Sequence, residues 1–596
     1  MLWRILEILR PYRRTYFQGI ALLVAVDLLQ LVTPRLLGRI ADELQKQHLT
    51  RENLLYYALL ILGLALTIAA GRYLWRMRLL GVSRRLEYDM RQGLYSHLQK
   101  LEPAFYDRHR TGDLMARATN DLDAVRMSTG MGAVMLTDSL VLTASTLALM
   151  FVTIDARLTG LALLPFPFMA LAALVLGRVI HRRFTLVQEH FGHLTEFAQE
   201  NLSQIRIVKA FAREEAQIEA FTRVNQDNVQ ANVSLARVSA VLFPLIQFFA
   251  GLSQVITLFY GGNRVVAGTL SLGDFVTFNG FLGLLSWPVM AIGWVINVIQ
   301  RGTASLERIQ AVLTTPPAIM DAPGALHLER LSGEVAFNHV TFSYAPDRRP
   351  ALEEVSFSLR PGQLVGVVGR TGSGKSTLAA LILRLYDPAP GQVFLDGQDV
   401  RDLALASIRE NVAWVPQEGF LFSTPIRENI AFAGDFGPED IAAAVRAACL
   451  EEDLAGFPDG LDTLVGERGL TLSGGQRQRV TLARALVRNA PLLLLDDCLS
   501  AVDTSTEARI LANIKTLRSG RTTIFITHRV AAVEDADYVL VLEGGRLLEA
   551  GTPAELDRRR GLYYHLRQQQ LLEEEKLALG GLKAGPRPAR TRPVEE

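Results

Sequence analysis

The sequence predicts a multidomain chain, in which an all-α transmembrane domain of six helices precedes an α/β domain with a largely parallel core sheet. Two patterns carry this reading. Apolar runs long enough to cross a bilayer (~20 residues) occur near 17–39, 54–75, 131–154, 157–180, 238–262 and 272–299. From about 333 onward, short β-rich runs such as "VAFNHVTFSY", "LVGVVG", "LLLLDD" and "TTIFITH" alternate with helical ones such as "STLAALILRLY", the pattern of strands joined by helical crossovers. The 596 residues exceed one domain, and 49% hydrophobic content is high for a soluble enzyme.

The elements follow in order. "MLWRILEILRPYRRTY" lacks a small-residue cleavage site after its apolar stretch, so no cleaved signal peptide is expected. Its Trp3, Ile5, Leu6, Ile8 and Leu9, set among Arg4, Arg10, Arg13 and Arg14, read as an amphipathic helix on the cytoplasmic membrane surface. Loops after the first, third and fifth spans are short. Those after the second and fourth are long and arginine-rich, as in "RMRLLGVSRRLEYDMRQ" and "HRRFTLVQEH". The positive-inside tendency puts the long loops and both termini in the cytoplasm. These loops keep helical periodicity, so spans two to five should continue as helices beyond the bilayer, with breaks at Thr111-Gly112 and within "NLSQIRIVKAFAREEAQIEAF". Asp27, Gln30, Asp138, Gln247, Gln254, Asn279 and Asn297 fall inside spans and should face an interior, a wet cavity or another helix.

The expected domains are therefore 1–315 for the membrane part, 316–332 for a linker marked by Pro316, Pro317, Pro323 and Gly324, 333–570 for the α/β domain, and 571–596 for a disordered tail. Net charge of +1 gives no reason to expect nucleic acid, and the two cysteines, Cys449 and Cys498, form no recognisable framework, as in a reducing cytosolic location.

"GVVGRTGSGKSTLAALIL" is the strongest local signal. Residues Gly369, Arg370, Thr371, Gly372, Ser373, Gly374, Lys375, Ser376 and Thr377 form a G-x-x-x-x-G-K-S-T loop between an apolar run and a helix. Its glycines let backbone amides curl round a phosphate, and the helix adds its positive end. Lys375 is expected on the β- and γ-phosphates and Ser376 on Mg²⁺. Asp496 closes a buried strand and is the expected carboxylate for the metal. His528 ends another strand, where it either faces the γ-phosphate or is an ordinary core histidine. Tyr344 either stacks on adenine or is a plain strand aromatic. "LTLSGGQRQRVTLARAL" opens a helix at Ser473, Gly474 and Gly475, a second set of free amides. One nucleotide needs one cradle, so the second makes sense on the nucleotide of another subunit.

With these motifs together the sequence resembles the ATP-binding cassette exporters, specifically bacterial half-transporters of the multidrug type, from the surface helix to about residue 570. The resemblance implies ATP and Mg²⁺ as cofactors, with Ser376, Gln417 and Asp496 around the metal. It implies Tyr344 as the adenine-stacking aromatic and Gln417 in "WVPQEGFLF" as the Q-loop. "VGERG" at 465–469 matches the segment before the signature, Leu472 to Gln476 match the signature, "SAVD" at 500–503 matches the D-loop and His528 the switch histidine. It further implies pairing of two half-transporters with two ATPs sandwiched between them, and coupling helices near 111–122 and 211–221.

One position departs. The family pattern places a glutamate after the strand-terminal aspartate, and here it is Asp497. One methylene fewer withdraws the carboxylate by ~1 Å, a displacement that can cost ~10²-fold in rate. Within the family an aspartate here resembles the degenerate site of a heterodimer whose partner carries the glutamate, with the intact signature of this chain, Ser473 to Gln476, completing the partner's site. The function expected is ATP-driven export of amphipathic or lipid-like small molecules across the inner (cytoplasmic) membrane, with Asp497, His528 and Gln417 as catalytic residues. Alternatives are a homodimeric lipid or peptide exporter and, less favoured, an ATP-gated channel.

Overall fold

The computed structural model describes residues 7–345, 347–466 and 472–582. Expectations for Trp3, Arg4, Ile5 and Leu6, for residues 467–469 of "VGERG", and for the tail beyond 582 lie outside those residues. The chain divides into two compact units, one of Met1–Gln99 with Thr111–Thr315, the other of Lys100–Arg110 with Pro316–Glu596.

The first unit is helical throughout its described residues. Five helices are long and apolar enough to cross a membrane: Arg10–Gln45, Arg51–Leu98, Thr111–Ile154, Ala156–Ser203 and Glu214–Val266. A sixth long helix, Leu272–Leu313, begins with the apolar stretch Leu272–Leu285. Within these runs lie α1 (Arg13–Gln30), α2 (Val32–Gln45), α3 (Arg51–Leu98), α4 (Ala133–Leu149), α5 (Pro165–Ser203), α6 (Glu214–Ile256) and α7 (Leu272–Leu313). The apolar window of α3 has no buried residue, as expected of a lipid-facing helix. Where helices meet, small residues and caps set the approach. Asp155 caps one helix start by accepting from the Leu158 amide at 2.7 Å, and Ser271 caps α7 by accepting from Asp274 at 2.9 Å. Buried Asp121 accepts from Ser305 at 2.8 Å and pairs with Arg308, fastening the third span to α7.

Three placements differ from expectation. Leu9 is buried with Val82, Leu86, Leu122 and Ile309, so the start of the described chain packs into the helical unit as well as facing outward. The break in the loop after the second span falls just before Thr111, at His109 and Arg110. A short helix, Pro103–Arg108, ends at extended His109, and Thr111 already opens the next helix. Proline at the first helical position, where no amide partner is needed, sets that start. The second break follows Ile205–Ala210, with Ala212 at φ +48° before α6 resumes at Glu214. The last helix, Leu562–Leu582, carries through 571–582, which were expected in the tail.

The second unit holds two sheets. β1 (Val335–Phe342), β2 (Leu352–Leu359), β4 (Val393–Leu395) and β5 (Gln398–Asp399) form an antiparallel sheet in the order β2-β1-β4-β5. β3 (Leu364–Gly369), β6 (Val412–Val415), β7 (Leu492–Asp496), β8 (Thr522–Thr527), β9 (Tyr538–Glu543) and β10 (Arg546–Gly551) form the larger sheet, ordered β10-β9-β3-β8-β7-β6. All its pairings are parallel except β9 with β10. β7 and β8 are buried along their whole length, which is why they read as continuous apolar runs. Two apolar clusters cover the sheet's faces. Leu493 and Leu495 belong to one and Leu492 and Leu494 to the other, following strand alternation.

Gly302 marks the closest approach of α7 to the third span. A Cβ there would run into the Ser128 side chain and come within 3.1 Å of the Ala124 carbonyl oxygen. Gly302→Val is therefore expected to destabilise the protein by about 1–3 kcal/mol, read as a lower melting temperature in detergent, whereas Gly177→Ala, in a helix interior with open space around it, is expected to hold or raise it slightly, by up to about 1 kcal/mol.

Candidate functional site

The site is built where β3, β8 and β7 end side by side. Val368 of β3 is level with Thr527 of β8, and Asp496 of β7 is level with Ile526 of the same strand. The loop after β3, the carboxylates after β7 and the histidine after β8 are therefore neighbours by register alone. The loop turns into α8 (Lys375–Ile382) through Gly374 at φ +92°, where a Cβ would strike the Ala351 carbonyl.

Lys375 folds back over its own loop, donating to the carbonyl oxygens of Gly369 and Arg370, each at 2.8 Å, and to Ser373 Oγ at 3.4 Å. Burial pulls its pKa down, and the charges of Asp497 and Asp496 oppose that pull. Ser376 Oγ donates to Asp496 Oδ1 at 3.1 Å. Asp496 is buried, and burial raises its pKa against the hydrogen bond from Ser376. Asp497 sits at φ +46°, in the left-handed region that aspartate tolerates better than most residues. From there both its oxygens reach His528 Nδ1, at 2.9 and 3.1 Å.

A cavity of about 290 Å³ is lined by Tyr344, Thr371 to Thr377, Gln417, Asp496, Asp497 and His528. Of the residues expected on the nucleotide, Gly369 and Arg370 stay out of the lining and serve instead as carbonyl anchors for Lys375. Tyr344 is hydrogen-bonded through its hydroxyl to Thr377 Oγ1 at 3.0 Å and meets Tyr386 edge-on, with ring centroids 5.0 Å apart. Ser376, Gln417 and Asp496 present oxygen donors to one cavity, a set that suits Mg²⁺.

Ser473, Gly474, Gly475 and Gln476 lie apart from this cavity, at the start of α9 (Gly474–Val487). Ser473 and Gln476 form a reciprocal capping box, with bonds of 3.2 and 2.9 Å. Gln476 also reaches Asp453 at 3.1 Å, and Asp453 pairs with Arg479 at 2.5 Å.

Two residues that carry no motif brace the site. Gln478 donates to Ser500 Oγ at 3.1 Å and accepts from the Ala501 amide at 3.0 Å, tying the signature helix to the D-loop segment. Gln570, on α11 (Leu562–Leu582; α10 is Thr504–Leu517), grips both sides of the switch segment. Its Nε2 donates to the His528 carbonyl at 2.6 Å and its Oε1 accepts from the Val530 amide at 2.7 Å. Tyr563, buried in the core, and Arg567, paired with Glu534 and Asp557, anchor that helix. Sequence spacing could not have found Gln570, because its partners are backbone atoms of a distant loop.

A strand-flanked phosphate loop, an aspartate on its serine and a second helix-opening glycine pair together define a nucleotide-binding cassette joined to a membrane bundle. The comparisons agree. Residues 16–289 match the ABC transporter transmembrane region, and 352–500 match the ABC transporter family. The chain is 39% identical to the probable multidrug resistance ABC transporter ATP-binding/permease protein YheI of Bacillus subtilis (strain 168), covering 95% of this chain and 97% of that protein. It is also 39% identical to the multidrug resistance-like ATP-binding protein MdlA of Escherichia coli (strain K12), over 95% of each. An ATP-dependent lipid A-core flippase of Syntrophus aciditrophicus (strain SB) is 35% identical over 83% of this chain and 82% of its own. A solved bacterial Atm1-family ABC exporter with ATP bound superposes with a TM-score of 0.77 at 27% identity, covering 94% of this chain and 98% of that one. The chain belongs to the ABC transporters with fused transmembrane and ATPase domains, membrane-embedded proteins in which ATP hydrolysis is coupled to transport.

Lys375→Ala is expected to weaken ATP binding at this site on the order of 10–100-fold, as loss of a charge-assisted contact does, measured by fluorescent nucleotide titration. Gln570→Ala removes two hydrogen bonds worth about 1 kcal/mol each. Hydrogen–deuterium exchange over residues 528–530 should then rise by up to about thirtyfold, while β7 keeps its protection.

Proposed function

We propose that this chain is one half of an exporter of amphipathic or lipid-like small molecules, multidrug in type. It works in the cytoplasmic membrane as a dimer with a second half-transporter, with its ATPase domain in the cytoplasm. The observation that carries the proposal is Asp497: a short carboxylate at the end of β7, held by His528 at 2.9 and 3.1 Å, where the family pattern has a glutamate. Multidrug and lipid A transporters among the relatives support the substrate class.

In this reading Lys375 and the loop amides hold the phosphates, and Ser376, Gln417 and Asp496 hold Mg²⁺, which supplies charge neutralisation when bound. His528, kept in place by Gln570 and Asp497, faces the terminal phosphate. Asp497 is the base nearest that histidine. Being one methylene short, it orients a water poorly, so ATP bound at this site is held longer than it is cut. Ser473 to Gln476 do not line this chain's own cavity, and they serve the nucleotide of the partner. The breaks at Pro103–Arg108 and Ile205–Ala210 act as the coupling elements.

A second reading, a homodimer with a slow but working aspartate, is favoured by the same Asp497–His528 pair, which is already formed. Asp497→Asn separates the two. It preserves size and left-handed backbone while removing the charge. In the heterodimer, total ATP turnover should fall less than about twofold. In a homodimer it should fall ~10²-fold or more, which would overturn the heterodimer reading. Asp497→Glu, tested alongside by single-turnover hydrolysis, is expected to speed cleavage at this site.

A further inference from the structure

Inside the helical unit, a cavity of about 660 Å³ is bounded by α1, α3, α4, α7 and the helical run before α4. Asp27, Asp138, Arg72 and Arg76 all line it. Asp27 is 1% exposed and Trp75 7% exposed. Asp27 Oδ2 receives no hydrogen bond from a nitrogen or hydroxyl, and Trp75 Nε1 donates none. Asp138 lines the same cavity as Asp27, so two carboxyl groups face one recess in which a cationic group of a ligand could be held. Among the described residues, Arg72 is linked to Asp27 only through Gln30, whose Nε2 donates to Asp27 Oδ1 at 3.4 Å. Arg72 donates to Gln30 at 2.9 Å, and Arg76 lies over the Trp75 ring at 5.5 Å from its centroid. Among the described residues, neither guanidinium has a carboxylate within ion-pair distance.

A second cavity, of about 720 Å³, shares Gln30, Arg72, Arg76 and Leu284 with the first and is otherwise walled largely by apolar side chains such as Ile61, Ala65 and Ile68. The two arginines therefore stand between an acidic recess and an apolar one. Charges of both signs gathered around one cavity near the end of a span are costly to desolvate unless a ligand or water completes them. The π-helical stretch Ser128–Gly132, a distortion common at functional sites, contributes Met131 to the acidic recess.

From this juxtaposition we propose that the paired cavities form a binding site for a zwitterionic amphiphile, its ammonium on Asp27 and Asp138, its anionic group on Arg72 and Arg76, and its tail along Ile61 and Ile68. The proposal rests on the exporter reading and narrows its substrate class.

The test is binding, measured without nucleotide on the full chain in nanodiscs by quenching of tryptophan fluorescence. Three single-chain probes of matched tail length are compared: lysophosphatidylethanolamine, its anionic lysophosphatidylglycerol analogue, and an alkyltrimethylammonium. The zwitterion is expected to bind the unmodified protein tightest. Asp27→Asn should weaken zwitterion and cation roughly tenfold or more and spare the anion, and Arg72→Gln should weaken zwitterion and anion and spare the cation. Equal binding of all three probes, or zwitterion affinity indifferent to both variants, overturns the proposal. A selective preference for the cation alone, lost in Asp27→Asn, also overturns it, in favour of a cation site. Thermal melting of the helical signal of each variant in the same nanodiscs, followed by circular dichroism, reports whether it is folded. Because no ATP is used for the probes, their result is separate from that of the exporter reading, which fails only if the assembled transporter moves nothing against a gradient with ATP.

Discussion

Parallel pairing of β8 with both β3 and β7 is the constraint on which the ATPase unit depends. Each of these strands is apolar on both sides, so two clusters can be buried at once, one on each face. Full burial of a leucine or isoleucine side chain contributes about 1.5–3 kcal/mol. A one-residue slip would exchange the two faces and misalign every end. The same register that satisfies the core thus brings Lys375, Asp496 and His528 together. The chemistry is a by-product of packing three greasy strands level with one another.

The helical unit is held by other means. Lipid gives apolar helices little reason to prefer each other, so contact relies on small residues and on polar fasteners. Gly38 and Gly273 bring α2 and α7 backbone to backbone, and Asp42 accepts from the Gly273 amide at 2.5 Å and from Ser271 at 3.0 Å. Ser253 of α6 donates to the Ala162 carbonyl. Asp121 with Ser305 and Arg308 does the same work at the other end of α7.

What the sequence disclosed follows from how locally each feature is encoded. The phosphate loop and the signature were readable because consecutive residues perform one task on one turn of backbone. Spans were readable because bilayer thickness imposes a length. Register was not written in any single strand, so the meeting of Asp496 with Ser376 and of Asp497 with His528 had to come from coordinates. The break in the loop after the second span is expected at Thr111-Gly112, and Pro103 marks a further helix start a few residues earlier. Asp27, Gln30 and Asp138 were foreseen in an interior, and they do line one cavity. Arg76 was read only as the first of the arginines that follow the second span, and Arg72 inside that span went unremarked. Gln570 left no trace, since a side chain that bonds to loop backbone imposes no pattern on its neighbours.

The capping box at Ser473 and Gln476 has a thermodynamic corollary. Its donors and acceptors are already satisfied within the chain, and a Cβ at Gly475 would come within 2.9 Å of the Ala501 carbonyl oxygen. The exposed amides of that turn are consequently fixed before any nucleotide arrives. If that turn meets a phosphate as proposed above, the contact would demand almost no loss of local conformational freedom. On the proposed role, the cost of binding at this turn would lie in bringing a partner's nucleotide to it, and the turn itself would behave as a rigid die rather than a closing hand.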